Sequence, residues 1–441
     1  MSNDWQMIPL EELTTAPVTY GIVKPGEEDP SGVLFIRGGD IADGRVQVDK
    51  LRTVSRIVSD QHRRTLLRGG EQIVSLVGNP GQVAIVPPEL AGANIARQVG
   101  LVRLVPSVDT RFIKYFLASP LGQSSLGSHS LGSVQQVINL RDLKTVKVPT
   151  PPLREQQAIA CILGALDDKI ELNRRRNRTL EAMARAIFQS WFVDFDPVRQ
   201  KSEVRRVKGK IDDSAFPSHF KLFPSNFEDS PLGPIPAGWR ERSLPEVCEV
   251  NPTRSLPKGT VAPYLDMANM PTQGPSPETW VLREMGSGMK FINGDTLVAR
   301  ITPCLENGKT AYVDFLADGQ VGWGSTEYIV LRPRGVIPPA FAYLLARTMD
   351  FRNFAIQQMT GSSGRQRVPA DSLSKYKLVT PEPDDELFAE FGNLIVPMFQ
   401  SMSAAMNQSR TLAALRDALL PKLISGELRV PDAERIVGRA T

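Results

Sequence analysis

The sequence predicts an α+β protein in which two small mixed α/β domains are joined by two long antiparallel coiled-coil helices, the whole forming an internal pseudo-two-fold repeat. Three observations carry this expectation. Nearly the whole chain repeats, each copy holds short β-rich runs broken by Gly, Pro and Asn, and two heptad seams are too long to be buried in one small domain.

The repeat comes first because it decides the architecture. A length of 441 residues suits two ordinary domains plus connecting elements. The segment from Trp5 to Leu13 returns 234 residues later at Trp239 to Val247, keeping the Trp, a Leu, a Glu and the closing aliphatic. Gly70-Glu71-Gln72-Ile73-Val74 is echoed 224 residues on by Gly294-Asp295-Thr296-Leu297-Val298. Gln136, Leu143, Lys147, Thr150 and Pro151 correspond to Gln366, Leu373, Lys377, Thr380 and Pro381 at 230, and Arg178-Thr179-Leu180 to Arg410-Thr411-Leu412 at 232. Four matches in collinear order, at nearly constant spacing, are not coincidence.

Within each copy, strands are expected at 72–77, 82–86 and 101–105, and again at 296–301, 309–315 and 328–331. Short helices at 110–118 and 339–348 precede a Gly/Ser-rich loop. After the breaker Pro149-Thr150-Pro151-Pro152, apolar and small residues follow steps of four and three through Ile159, Leu163, Leu166, Ile170, Asn173, Asn177, Leu180, Ala184, Ile187 and Trp191. A helix over that seam is roughly 48 Å long at 1.5 Å per residue and needs a partner helix. Phe391, Ile395, Met398, Met402, Ala405, Ser409, Leu412, Leu415, Leu419 and Leu423 supply one, with Pro397 expected to kink or divide it. Asn173 and Asn177 fall mid-seam, where a buried amide can fix register opposite small residues such as Ala405 and Ser409, or where they simply flank the wet Arg174 to Arg178 cluster. The expected division is a first domain at 1–150, a helix at 151–195, a basic, Pro/Gly-rich linker at 196–238, a second domain at 239–380, a helix at 381–428 and a tail at 429–441.

Composition narrows the function. With 41% hydrophobic and 23% charged residues, and no run near the roughly 20 apolar residues of a membrane helix, no membrane partner is expected. The N-terminus lacks a signal peptide's cationic start and apolar core, so the expected compartment is the cytoplasm. Cys161, Cys248 and Cys304 read as small buried hydrophobes, and with His62, His129 and His219 show no ligand spacing, so no metal site is expected. A net charge of +4 is compatible with a polyanionic partner. Two clusters concentrate it, Arg174 to Arg178 and Arg199 to Lys210, each of which alone reads as a solvated face.

Specific strings then become telling. Pro151-Pro152-Leu153-Arg154-Glu155-Gln156-Gln157-Ala158-Ile159-Ala160, Trp191-Phe192-Val193-Asp194-Phe195-Asp196-Pro197, and the run from Leu415 to Leu428 resemble the conserved helical regions of specificity (S) subunits of type I restriction-modification systems. The resemblance covers nearly the whole chain. It implies that each globular part is a target recognition domain reading half of a bipartite, asymmetric DNA site, and that the helices set the unread spacer. It further implies double-stranded DNA, two modification (methyltransferase) subunits and restriction/translocase subunits as partners. No cofactor is expected on this chain, since S-adenosylmethionine, ATP and Mg would sit on the partner subunits. Candidate contacts to the methyltransferase subunit are Arg154, Glu155, Gln156, Trp191 and Phe192. The second helix departs from the pattern, opening Pro381-Glu382-Pro383-Asp384 in place of Arg-Glu-Gln-Gln.

Motifs for catalysis are missing from the sequence, so no catalytic residue is assigned. Asn251-Pro252-Thr253-Arg254 lacks the second Pro and the aromatic of a base-flipping methyltransferase loop, no G-x-x-x-x-G-K-[ST] loop occurs, and Gly286-Ser287-Gly288 is too short for a dinucleotide fingerprint. Asp194 and Asp196 read as an exposed helix end. Candidate DNA contacts lie in Gly361-Ser362-Ser363-Gly364-Arg365-Gln366-Arg367, where Arg365, Gln366 and Arg367 suit base edges or phosphates and no acid follows until Asp371. The counterparts are Gln135 and Gln136, and weaker candidates are Arg63, Arg64, Lys290 and Arg300. On sequence alone two other readings stay open: a protein-interaction scaffold with a coiled-coil rod, and a stand-alone DNA methyltransferase or nuclease.

Overall fold

The β-rich runs of both copies form strands in the computed structural model, which describes residues 5–127, 137–208, 216–231, 233–362 and 364–440 of a mixed α/β chain. Two compact units emerge, one from residues up to 170 together with those from 411 onward, the other from 171–410.

In the first unit the strands Thr19–Tyr20, Val99–Val102, Gln72–Ser75 and Val83–Ile85 lie side by side in that order, all antiparallel. A second sheet orders Arg52–Val54, Val33–Ile36 and Asn94–Ile95, with the last pair parallel. Gln6–Pro9 pairs with Lys147–Thr150 and ties the two ends of the globular part together. The helix Thr110–Ala118 starts where Asp109 accepts a bond from the Phe112 amide, a cap that stabilises by about 1 kcal/mol, and buries Phe112, Ile113 and Phe116.

The second unit repeats this plan. Cys248–Val250, Tyr328–Pro333, Thr296–Ala299 and Thr310–Tyr312 form the antiparallel sheet. Val281–Glu284, Val261–Leu265, Gly322–Gly324 and Met289–Phe291 form the mixed one, again with a single parallel pair. Arg240–Ser243 pairs with Lys377–Thr380 as Gln6–Pro9 does with its partner. The repeated Gly-acid signature has a physical cause in both units. Gly70 and Gly294 adopt φ of 86° and 87°, a region open to glycine. Each following acid, Glu71 or Asp295, accepts from the backbone amide three residues earlier, Arg68 or Ile292, at 2.8 Å, and meets a guanidinium, Arg103 or Arg332.

Two helices of 40 and 39 residues, Leu153–Phe192 and Glu386–Ile424, contribute to both units. In the second unit they pair antiparallel: Asn173 meets Ala405 and Ser409, Asn177 meets Met402, and Phe192 stacks on Phe388 with ring centres 5.5 Å apart. In the first unit Asp167 bonds Arg416 at 2.7 Å, and Ile159, Leu163, Leu166, Leu419 and Leu423 share one core. Toward the end of the first helix the buried position moves from Ile187 to Phe188, the drift expected of a 3.6-residue helix against a 3.5-residue seam.

Four expectations need correction. Pro397 does not divide its helix; it is exposed, and a proline on the outer face costs one amide donor where solvent reaches the orphaned carbonyl. The stretch 196–238 is not a bare linker. It holds the helix Asp196–Lys208, a 3-10 turn Ser218–Leu222 and a hairpin of Phe227–Ser230 with Gly233–Pro236. Aromatic side chains interleaved with the cations explain this: Phe220, Phe223 and Trp239 are buried, and Lys201 is buried with its Nζ donating to the carbonyls of Phe220 and Phe223. Lys210, and His129 in the first copy, lie outside the described residues. The tail forms the helix Val430–Ala440, whose Ala433 is buried. Finally, Cys161 is exposed, whereas Cys248 is fully buried and its thiol is pushed up to about 12 by desolvation.

Candidate nucleic-acid interface

The loop before the last strand of the second unit is built around the backbone of Arg367. Its amide and carbonyl both bond Thr360, at 2.9 Å each, and the same residue bridges to Ile301 on the other side. The Gln366 carbonyl accepts from Thr302 at 3.1 Å, and the Arg300 carbonyl accepts from Val368 at 2.9 Å. Arg365 is exposed and Gln366 half-buried. The structure thus gathers Arg300, Arg365 and Arg367, which are up to 67 residues apart in sequence.

Arg367 is not free of acids. Glu327 lies against it, with Arg367 Nε 2.9 Å from both carboxylate oxygens and a second nitrogen 2.9 Å from Oε1. The sequence expectation looked only along the chain, and the acid arrives from the end of another strand. Arg300 donates its amide to the Glu327 carbonyl, and its Nε is buried with no partner among the described residues. Lys290 is elsewhere, half-buried on Met289–Phe291 opposite Trp323.

In the first unit Arg63 and Arg64 are exposed on the 3-10 turn Arg63–Thr65, and Arg63 lies 3.4 Å from Asp60. Gln135 and Gln136 lie outside the described residues.

The residues assigned to a partner subunit divide differently from expectation. Arg154 is exposed and Glu155 lies 3.9 Å from Arg429. Gln156 is buried: its Oε1 accepts from the Asp109 amide and its Nε2 donates to the Pro151 carbonyl, so it fastens the helix start to the globular part. Trp191 and Phe192 are 4% and 6% exposed, packed with Phe223, Phe341, Phe388, Phe391 and Trp239. Those two side chains build the core, and burial leaves them no face for a partner. Asn173 donates to the Ala405 carbonyl, Gln408 Oε1 and Ser409 Oγ, while Asn177 donates to the Met402 carbonyl and leaves its Oδ1 buried without a partner among the described residues.

Sequence reasoning missed the groups that fasten the second globular part to the helices. Arg410 donates to the carbonyls of Pro277 and Glu278 and stacks 4.3 Å from the Trp280 ring centre, while Arg174 pairs with the Glu278 carboxylate at 3.2 Å. Tyr343 donates to Glu181 at 2.7 Å, and Arg347 lies 3.6 Å from the same carboxylate. Such pairs join residues some 100 or more positions apart, and only the seam positions of the helices hinted that anything docks there. Among the described residues no cluster of His, Cys, Asp and Glu is placed to hold a metal ion, and no helix is long and apolar enough to cross a membrane.

Comparison with known proteins places this architecture. Residues 3–182 match the type I restriction modification DNA specificity domain. The specificity subunit of the type I restriction enzyme EcoBI from Escherichia coli is 34% identical over 198 residues, covering 42% of this chain and 41% of that subunit. That of MjaIX from Methanocaldococcus jannaschii is 24% identical over 357 residues, covering 76% and 73%. The S subunit of a type I restriction-modification system from M. genitalium shares the fold, with a TM-score of 0.53 over 96% of both chains at 16% identity. The chain is thus similar to type I restriction-modification specificity subunits, and its residues 3–182 match the model of their DNA specificity domain.

Proposed function

We propose that this chain is the non-catalytic DNA-recognition subunit of a type I restriction-modification complex, reading a bipartite, asymmetric site. The observation that carries the reading is the repetition of one plan. The unit that contains most of the matched specificity domain and the second unit share their sheets, their Gly-acid turn and their terminal strand pair. Two copies of a DNA-reading plan read two half-sites. Their loops differ, so the half-sites differ.

The two long helices act as the spacer, with Asn173 fixing register through its bonds to Ala405, Gln408 and Ser409. Residues 1–150 and 239–380 are the recognition domains. Partners are double-stranded DNA, two modification subunits that bind the exposed helical surface around Arg154 and Glu155, and the restriction subunits. S-adenosylmethionine, ATP and Mg belong to those partners, and the assembly works in the cytoplasm. Binding to duplex DNA tests the reading directly: log affinity should fall linearly with log salt, by about 0.9 per phosphate neutralised. Affinity independent of salt and sequence would favour a protein-interaction scaffold, and turnover by the purified chain alone would favour an enzyme.

A further inference from the structure

Arg367 carries more geometric information than its neighbours. A guanidinium has five N–H donors in a planar fork. Glu327 faces the side edge: Nε–H donates to both carboxylate oxygens at 2.9 Å, and the neighbouring nitrogen is ion-paired with Oε1 at 2.9 Å. The third nitrogen donates one N–H to the Arg365 carbonyl at 3.2 Å. Beyond these contacts Nη1 and Nη2, whose outward N–H bonds run parallel in a guanidinium, have no partner among the described residues, and the side chain is 44% exposed. Both ends of this arrangement are held by backbone: Arg367 between Thr360 and Ile301, and Glu327 through its carbonyl to the Arg300 amide and its own amide to Ser325 Oγ.

We infer that Arg367, locked in orientation by Glu327, reads a guanine in the second half-site, and that Glu327 is its positioning residue. This rests on the DNA-recognition reading. Two parallel donors match the O6 and N7 acceptors that guanine presents together in the major groove. Adenine offers one donor and one acceptor there, and thymine a single acceptor beside a methyl group. A backbone phosphate also accepts a bidentate guanidinium. Glu327 argues against it, because a carboxylate offsets the cation's long-range attraction for a polyanion while keeping the donors aimed. A charge meant only to grip the backbone gains nothing from an acid beside it. Preorganisation also removes the rotamer freedom that an untethered arginine loses on binding.

The test uses the full chain assembled with its modification subunits and a panel of duplexes in which each base pair of the second half-site is changed in turn. Wild type should lose about 5- to 150-fold in affinity when one G·C pair is replaced. Arg367→Lys keeps the charge and loses the fork, and with Arg367→Ala it should abolish discrimination at that pair alone. Glu327→Gln should weaken discrimination at the same pair and leave the salt slope unchanged. Equal weakening on every duplex, with the salt slope reduced by about one phosphate, would make Arg367 a backbone contact and overturn the inference. Wild-type discrimination in Glu327→Gln would overturn the positioning role. Should wild type itself bind all duplexes equally, it is the underlying DNA-recognition reading that fails.

Discussion

Asn173 and Asn177 occupy successive seam positions of one helix, yet burial treats them differently. Asn173 Nδ2 has three acceptors within reach, whereas Asn177 Oδ1 is buried with none among the described residues. A lost bond at a buried amide costs about 1 kcal/mol, while an unsatisfied polar atom already costs about 1–3 kcal/mol. Asn173→Ala should therefore destabilise by about 1–2 kcal/mol, and Asn177→Leu should be neutral or raise stability by up to about 2 kcal/mol. Urea unfolding of the two variants decides, and equal losses would contradict the asymmetry. At this scale the sequence was legible wherever residue type and period coincided, as in the seam amides. It was silent where the partner comes from another element: Glu327 lies 40 positions from Arg367. It misled where aromatic residues, Trp191 and Phe192, had a bland role in the core.

The opening of the second long helix shows an element-scale compensation. Where the first helix uses Gln156 to fasten itself, the second is preceded by Glu382, which bonds Arg242 at 2.8 Å and Arg240 at 2.6 Å on the terminal strand Arg240–Ser243. The Arg242 hydrogen bond, then that of Arg240, holds the Glu382 carboxyl below its ordinary value of 4.5. A carboxylate with a depressed pKa stabilises the fold fully above that ordinary value and loses its contribution as pH falls through the depressed one. Below about pH 4.5 the melting temperature should drop more steeply in wild type than in Glu382→Gln. Identical acid limbs would remove Glu382 from the account. The six expected strands and two short helices were legible to within a few residues because Gly, Pro and Asn bound them, whereas the second sheet of each unit, built of strands from Arg52–Val54 to Asn94–Ile95 and from Val261–Leu265 to Gly322–Gly324, was not. The helix Asp196–Lys208 was not, since its cations disguise the apolar contacts that follow it in Phe220 and Phe223.

For the whole molecule the repeat was the most readable signal, and its reason is now physical: the matched residues are turns, strand pairs and helix seams, which packing constrains, while the loops between them are free to differ. Which loop residues would meet DNA under the proposed function was not readable, because a base contact and a phosphate contact use the same side chains. If the long helices set the spacer, matched insertions of four residues near Asn177 and near Met402 lengthen each by about 6 Å, close to two base-pair steps. The unread gap should grow, and an unchanged gap with activity intact would contradict the spacer role. The central claim is tested most directly by coexpressing this chain with its modification subunits in a host that lacks them and mapping every methylated base in the genome. The expected result is a single motif of two different half-sites separated by a gap of fixed length, absent without this chain. Methylation at one undivided motif, or methylation independent of this chain, would contradict it.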